Sequence, residues 1–248
     1  MLPITLERAT RSGQMLLSAG KEYVCFMKLH ADVSEEKVRE VLQSFVGTIT
    51  QMPPVKSAVK RQLRERNIYY LNVLETDGRN VLFRVGSQAG TYIRTICVDA
   101  GKKLGIGAHM QQLIRTKAGP FTDKDWVTLQ DLQDAYSFWK EDGDETLLRK
   151  YVTPFEKAAE HLPKVWVFDS AVHTICSGAE VYVSGISRFN TVQPKERVAI
   201  MTLKGELIGL GAAAMETGEI QHLQKGVAVK PDAIFMDRNV YPKQEKKA

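Results

Sequence analysis

Residues 20–30, GKEYVCFMKLH, alternate in character: Tyr23, Cys25, Met27 and Leu29 share one face of an extended chain, and Val24, Phe26 and Lys28 the other. That period of two predicts a strand. The period changes in SEEKVREVLQSFVG (34–47), where Val38, Val41, Leu42 and Phe45 form a helical stripe. Ser34 is placed to cap this helix, Glu35 and Glu36 suit its positive end, and Gly47 stops it. Residues 67–93 read as two strands joined through Asp77-Gly78, a hairpin signal. The pattern then predicts helices over 94–104, 109–116, 128–139 and 153–162, the last opened by Pro154.

The texture shifts near AEHLPKVWVFD (159–169). After it come short strands with tight turns: two runs around Lys204-Gly205 and a further strand pair over 226–236. The chain is therefore read as α+β, with a first domain over 1–160, a β-rich module over 161–240 and a tail over 241–248. There is no low-complexity tract and no internal repeat.

Composition narrows the partners. With 248 residues, 44% hydrophobic and 25% charged, the chain can bury a core of one or two domains. No apolar run approaches the ~18–20 residues that span a bilayer, and the first residues lack the pattern of a signal peptide. Cys25, Cys97 and Cys176 lie far apart in apolar contexts, which reads as reduced core thiols of an intracellular protein and not as disulfides or a zinc site. The five histidines have no metal-ligand spacing. The net charge of +5 favours an anionic partner. Its densest run is KSAVKRQLRER (56–66), where Lys56, Lys60, Arg61, Arg64 and Arg66 face only Glu65, just after Met52-Pro53-Pro54. As a helix face this is a solvated surface; as a projecting arm it suits a phosphate backbone.

One residue is out of place. In AGTYIRTICVDAGKKLG (89–105), Arg94 stands between Ile93 and Ile96 in a run otherwise fit for burial. A guanidinium there must reach water or be held against an anion, because an unpaired buried charge costs about 3–5 kcal/mol.

The motifs go further than the pattern. GTYIRTICVDAGKKLGIGAHMQQLIRTKAGPF (90–121) resembles the signature of the TruB-type RNA pseudouridine synthases, and SAGKEYV (18–24) resembles the segment that carries their active-site tyrosine. MPPVKSAVKRQLRERNIYY (52–70) is closer to the archaeal and eukaryal guide-RNA-dependent branch, the dyskerin type. EHLPKVWVFDSAVHTICSGAEVYVSGISRF (160–189) resembles the opening of that branch's C-terminal PUA domain. The resemblance implies isomerisation of uridine to pseudouridine in RNA, with no metal and no organic cofactor. The target nucleotide must be extruded, since a base inside a helix cannot reach an active site. A mixed antiparallel sheet with helices, followed by a β-barrel-like PUA domain, is the implied fold. Implied partners are a box H/ACA guide RNA, its rRNA target and the small companion proteins of that particle, with no membrane; the implied location is the cytoplasm of an archaeon.

Residue by residue, the resemblance makes Arg94 the bidentate partner of the family's nucleophilic aspartate. It makes Tyr23 the tyrosine that contacts the flipped base and helps remove the C5 proton. Leu113 falls on the apolar residue beside the base; Tyr92, two residues before Arg94, is read as packing and not as reacting. Lys60, Arg61, Arg64 and Arg66 fall on a substrate-side loop. Taken alone, Arg94 is a structural ion pair, Tyr23 a strand aromatic and Leu113 a core leucine. The sequence departs from the family in one respect: it has no Gly-Thr-Leu-Asp-Pro run, and it opens MLPITLERATR, which resembles the family's segment just after the aspartate loop. The expectation is thus an incomplete catalytic domain, from a truncation or wrong start sooner than a split gene, and a chain inactive alone. Asp99, one turn beyond Arg94, is rejected as a substitute nucleophile. A stand-alone synthase for the tRNA T-loop and a non-catalytic RNA-binding remnant are the alternatives.

Overall fold

The computed structural model describes residues 1–54 and 59–243, apart from the side chains of residues 8, 12 and 14. Lys56 of the basic run and residues 244–248 of the tail lie outside the described residues. The chain forms two compact units: Met1–Ile4 with Gln14–Tyr151, and Thr5–Gly13 with Val152–Ala248.

The first unit contains α1 (Gly13–Ser18), β1 (Lys21–Leu29), α2 (Glu35–Gln43), β2 (Gly47–Gln51), β3 (Arg64–Asp77), β4 (Asn80–Ser87), α3 (Ile93–Leu104), β5 (Ala108–Ala118), β6 (Phe121–Thr122), α4 (Leu129–Asp142) and α5 (Thr146–Tyr151). Its strands make an antiparallel sheet in the order β2-β3-β4-β1-β5-β6. The alternation of β1 decides which face is covered. Cys25, Met27 and Leu29 join Val81, Phe83 and Val85 of β4 in a core closed by Val38 and Leu42 of α2 and by Ile96, Cys97 and Ala100 of α3. Burying these side chains is the main stabilising contribution, roughly 1.5–3 kcal/mol for each large one.

Helix α3 ends at Gly105, whose φ of 76° is the left-handed conformation that glycine adopts without strain. Gly101 lies directly on the start of β5: a Cβ there would come within 2.1 Å of the Ala108 nitrogen. Helix α4 opens on the reciprocal capping box of Thr128 and Asp131. Ser34 holds the N-cap position of α2 as expected, but its side chain makes no cap hydrogen bond.

Three predicted elements differ. Residues 109–116 are not a helix but most of β5, which pairs with β1 from Leu29↔Ala108 to Lys21↔Ala118. Met110, Leu113 and Ile114 fit a helical spacing by accident, and cross-strand pairing with β1 overrides it. In place of a helix over 153–162 there is only a short 3-10 turn, Phe155–Ala159. The strand pair expected over 226–236 is one strand of the second unit, with a register shift between its pairings to Leu210 and Gly211, beside Pro231.

The second unit contains β7 (Lys164–Val167), α6 (Asp169–Cys176), β8 (Val181–Tyr182), β9 (Ile186–Phe189), β10 (Arg197–Met201), β11 (Leu207–Ala213), α7 (Thr217–His222) and β12 (Val227–Ile234). Its sheet order is β8-β12-β11-β10-β7-β9, with β7 and β10 parallel and the remaining neighbours antiparallel. Its own core includes Val165, Val167, Ile175, Val198, Ile200, Ile208 and Val229. None of the described helices is long and apolar enough to cross a membrane.

Candidate active site

Chain direction brings the candidate residues together. Strand β4 ends at Ser87, opposite Lys21 of β1, and the chain turns through 88–92 into α3. Helix α3 therefore runs alongside β1 in the same sense, ending near Leu29, where Gly101 meets Ala108. The two elements touch through Cys25 and Cys97, whose sulfurs are 3.5 Å apart and fully buried. The hydrogen bond with Cys97 and burial both push the Cys25 thiol far up, so it stays protonated and inert. Tyr23 lies one pleat before Cys25 on the same face, and Arg94 lies three residues before Cys97 on the helix. Both are displaced toward the same end, where α3 begins.

Arg94 is exposed, so the buried-charge problem posed by its neighbours does not arise. Ile93 and Ile96 point into the core while Arg94 points to water. Among the described residues it has no hydrogen-bond or ion-pair partner. It occupies the second position of α3, where the positive end of the helix dipole opposes a cation. Asp99 is engaged elsewhere, 3.2 Å from Lys102 Nζ. An exposed guanidinium beside the start of a helix has the donors that an anion can use.

The turn that delivers Arg94 is held by two glutamine amides. Gln51 Nε2 donates to the Tyr92 carbonyl (3.1 Å), and the Tyr92 N–H donates to Gln51 Oε1 (3.0 Å). Gln88 ties to Asn67 on β3 in the same reciprocal manner, through its backbone N–H (2.8 Å) and its side-chain oxygen (3.1 Å). Tyr92 itself is the half-buried N-cap residue of α3.

Of the basic run, Arg64 and Arg66 belong to β3 and alternate inward with buried Ile68, while Lys60 and Arg61 lie exposed in the irregular segment before it. Arg64 is paired in register with Gln51. Arg66 lies against Gly90, whose added Cβ would sit 3.3 Å from the guanidinium nitrogens. The fold thus draws two of the run's four described cations toward the Arg94 turn. Leu113, on a strand and not a helix, is opposite Cys25, and Arg115 is opposite Tyr23. Leu113 is 37% exposed, available to a flat apolar ligand and not locked in the core.

More cations gather at this end. Arg115 donates through Nε and Nη2 to the Met1 carbonyl, and the Met1 ammonium donates to the Arg115 carbonyl. Lys21 donates to the carbonyls of Leu16, Leu17 and Ala19 at the end of α1. Burial, and then repulsion from Arg115, hold its ammonium below the usual lysine range. On the opposite sheet face, Glu22 accepts from Tyr70 and Thr116, both at 2.6 Å. Burial alone would raise the Glu22 carboxyl, but these hydrogen bonds, with Arg84 and Lys117 nearby, leave it below the ordinary value of 4.5. Tyr70 is pushed up to about 12 by burial and by Glu22. No group of three or more metal-ligating side chains occurs among the described residues.

Gln51, Gln88, Lys21 and Arg115 were not singled out from the sequence. Gln51 left a signal: in GTITQ (47–51) the period of two puts it on the inward face, where a polar residue needs a partner.

Comparison with known proteins bears on both units. The N-terminal-domain model of the TruB family pseudouridylate synthases matches residues 1–93, the C-terminal-domain model of tRNA pseudouridylate synthase B matches 94–160, and the PUA domain model matches 163–235. The match over 1–93 gives no support to the expectation of an incomplete catalytic domain. Among relatives, a "probable tRNA pseudouridine synthase B" of Pyrococcus abyssi is 55% identical over 98% of this chain and 73% of its own length. The protein of the same name from Methanothermobacter thermautotrophicus is 51% identical over 98% of this chain and 75% of its own length. Among solved structures, a Cbf5-Nop10-Gar1 complex has a chain superposing with a TM-score of 0.95 at 53% identity, over 98% of this chain and 75% of that one. An H/ACA RNP bound to a substrate RNA containing 2'-deoxyuridine has a chain with a TM-score of 0.89 at 50% identity, over 96% of this chain and 73% of that one.

Proposed function

Because the chain belongs to the TruB family of pseudouridine synthases, we propose that it isomerises uridine to pseudouridine in ribosomal RNA at positions selected by a box H/ACA guide RNA. The observation that carries the chemistry is Arg94, an exposed guanidinium with no partner among the described residues, at the start of α3 and the same end as Tyr23. In this reading a carboxylate nucleophile sits in the Arg94 fork, which keeps it ionised and aimed. The glycosidic bond breaks, the uracil turns, and its C5 bonds to the ribose carbon. Tyr23 contacts the extruded base and assists departure of the C5 proton, and Leu113 offers the base an apolar wall. Arg64, Arg66, Lys60 and Arg61 contact the RNA backbone. Among the described residues no carboxylate is paired with Arg94, and the assay that follows decides whether the chain turns over without a further segment.

What supports the guided reaction is the likeness to H/ACA particle structures. The name carried by the relatives favours a second reading, direct action on tRNA. A tritium-release assay on RNA labelled at uridine C5 separates them. The 248-residue chain is tested alone, then with companion proteins and guide, then with a segment supplying the Gly-Thr-Leu-Asp-Pro loop, on guided rRNA and on bare tRNA. Release that depends on the guide supports the proposal. Release from bare tRNA favours the second reading, and turnover by the chain alone would mean that a carboxylate within it does the chemistry.

A further inference from the structure

We infer that Gln51 is a positioning residue that sets the direction of Arg94 by clamping the two peptide groups that flank Tyr92, an inference resting on the reading of Arg94 as the holder of the nucleophile. Tyr92 is the N-cap of α3 but supplies no side-chain cap of its own. Its carbonyl begins the helix, accepting from Thr95 N (3.1 Å) and Ile96 N (3.3 Å). That carbonyl belongs to the peptide joining Tyr92 to Ile93 and the Tyr92 N–H to the peptide joining Thr91 to Tyr92, so the Gln51 amide spans both and fixes the backbone torsions between them. One hydrogen bond to the carbonyl (3.1 Å) and one from the N–H of the same residue (3.0 Å) make a ring that only a correctly oriented backbone can close.

Gln51 is 3% exposed, so both hydrogen bonds are shielded from water and neither group can turn to solvent instead. Its backbone is fixed in turn as the last residue of β2, in register with Arg64. The guanidinium begins two residues beyond the clamped peptide. A rotation at Tyr92 would swing it, and a misplacement of about 1 Å in a catalytic group can cost on the order of 10²-fold in rate. Gln51 also precedes Met52-Pro53-Pro54, so the same amide joins the root of the basic run to the root of α3.

The clamp has a chemical signature that packing alone lacks. A neutral carboxylic acid can copy it, its O–H donating to the Tyr92 carbonyl and its C=O accepting the Tyr92 N–H. A carboxylate cannot, because it would face that carbonyl with no proton between them. Asparagine carries the right groups but is one methylene short.

The test uses the particle assembled with guide RNA, companion proteins and the loop segment, under single turnover. Gln51→Ala is expected to slow pseudouridine formation on the order of 10²-fold, with the Kd for substrate RNA unchanged and faster amide exchange at Tyr92. Gln51→Glu should regain rate as the pH is lowered, a rise that wild type and Gln51→Ala do not show, and Gln51→Asn should not be rescued at any pH. Should Gln51→Ala fail to fold, the pH profile of Gln51→Glu against wild type decides. A flat profile, or a Gln51→Ala rate equal to wild type while Arg94→Ala is dead, overturns the role of Gln51. If Arg94→Ala itself keeps the wild-type rate, the reading of Arg94 is what fails.

Discussion

A cation at the second position of a helix lies against the positive end of the dipole, and Arg94 holds that place with its side chain in water. Local electrostatics give no reason for it, and the proposed function assigns its use to an anion that it binds. Arg94→Lys, in the assembled particle, should lose activity by about 10²–10³-fold, since an ammonium cannot reproduce the two parallel hydrogen bonds of the fork. The melting temperature should hold, because the wild-type side chain is already solvated; a parallel fall in both would assign Arg94 to the fold. On the opposite sheet face Glu22 has a different signature. Its carboxyl is held below its ordinary 4.5 in the folded protein, so the folded state binds fewer protons than the unfolded chain in that region. The stability it contributes is in place above about pH 4.5 and is lost as the pH falls through the folded value. Glu22→Gln should therefore flatten the acid limb of a denaturant-midpoint curve taken from pH 3 to 7. An unchanged limb would remove Glu22 from the acid response.

Elements differ in how openly the sequence announced them. Strand β1, α2 and α3 were legible because a single period ran through each and one face was buried. Strand β5 was not, because most of its residues from Ala108 to Ala118 are exposed and Met110, Leu113 and Ile114 chance upon helical spacing; pairing with β1 decides its form. Arg94, Tyr23 and Leu113 were found through motifs, and the common end of Arg94 and Tyr23 stems from the turn between β4 and α3, which no local pattern encodes. The glutamine clamps escaped because an amide carries no charge to flag it. The basic run was ambiguous between a solvated face and an arm, and the structure divides it: Arg64 and Arg66 on β3, Lys60 and Arg61 before it. Changing all four to Ala should weaken substrate association in the assembled particle and lower the slope of log K against log salt by up to about 0.7 per lost contact. An unchanged slope would make the run a solvated surface.

For the molecule as a whole, the second unit carries a PUA match and its own closed core. With a net charge of +5, the 248-residue chain should bind an ACA-ended RNA stem with an affinity that falls steeply as salt rises. Replacing the ACA trinucleotide at fixed stem length should weaken binding at constant salt. Equal affinity for both stems would leave only phosphate attraction.

The glycine at 101 has a mechanical consequence. With backbone seated on backbone at Ala108, this point acts as a pivot, and the stretch of α3 back to Arg94 is an arm of about 10 Å at 1.5 Å per residue. Such an arm transmits any lift at the pivot to the guanidinium, however distant the cause. Gly101→Ala places a methyl group where main-chain atoms of Gly107 and Ala108 already stand, so the helix must rise. The variant should lose about 1–3 kcal/mol of stability. In hydrogen exchange it should also loosen the Tyr92 amide, at the far end of the helix from the substitution, whereas loosening confined to residues 101–108 would show that the helix bends and does not tilt.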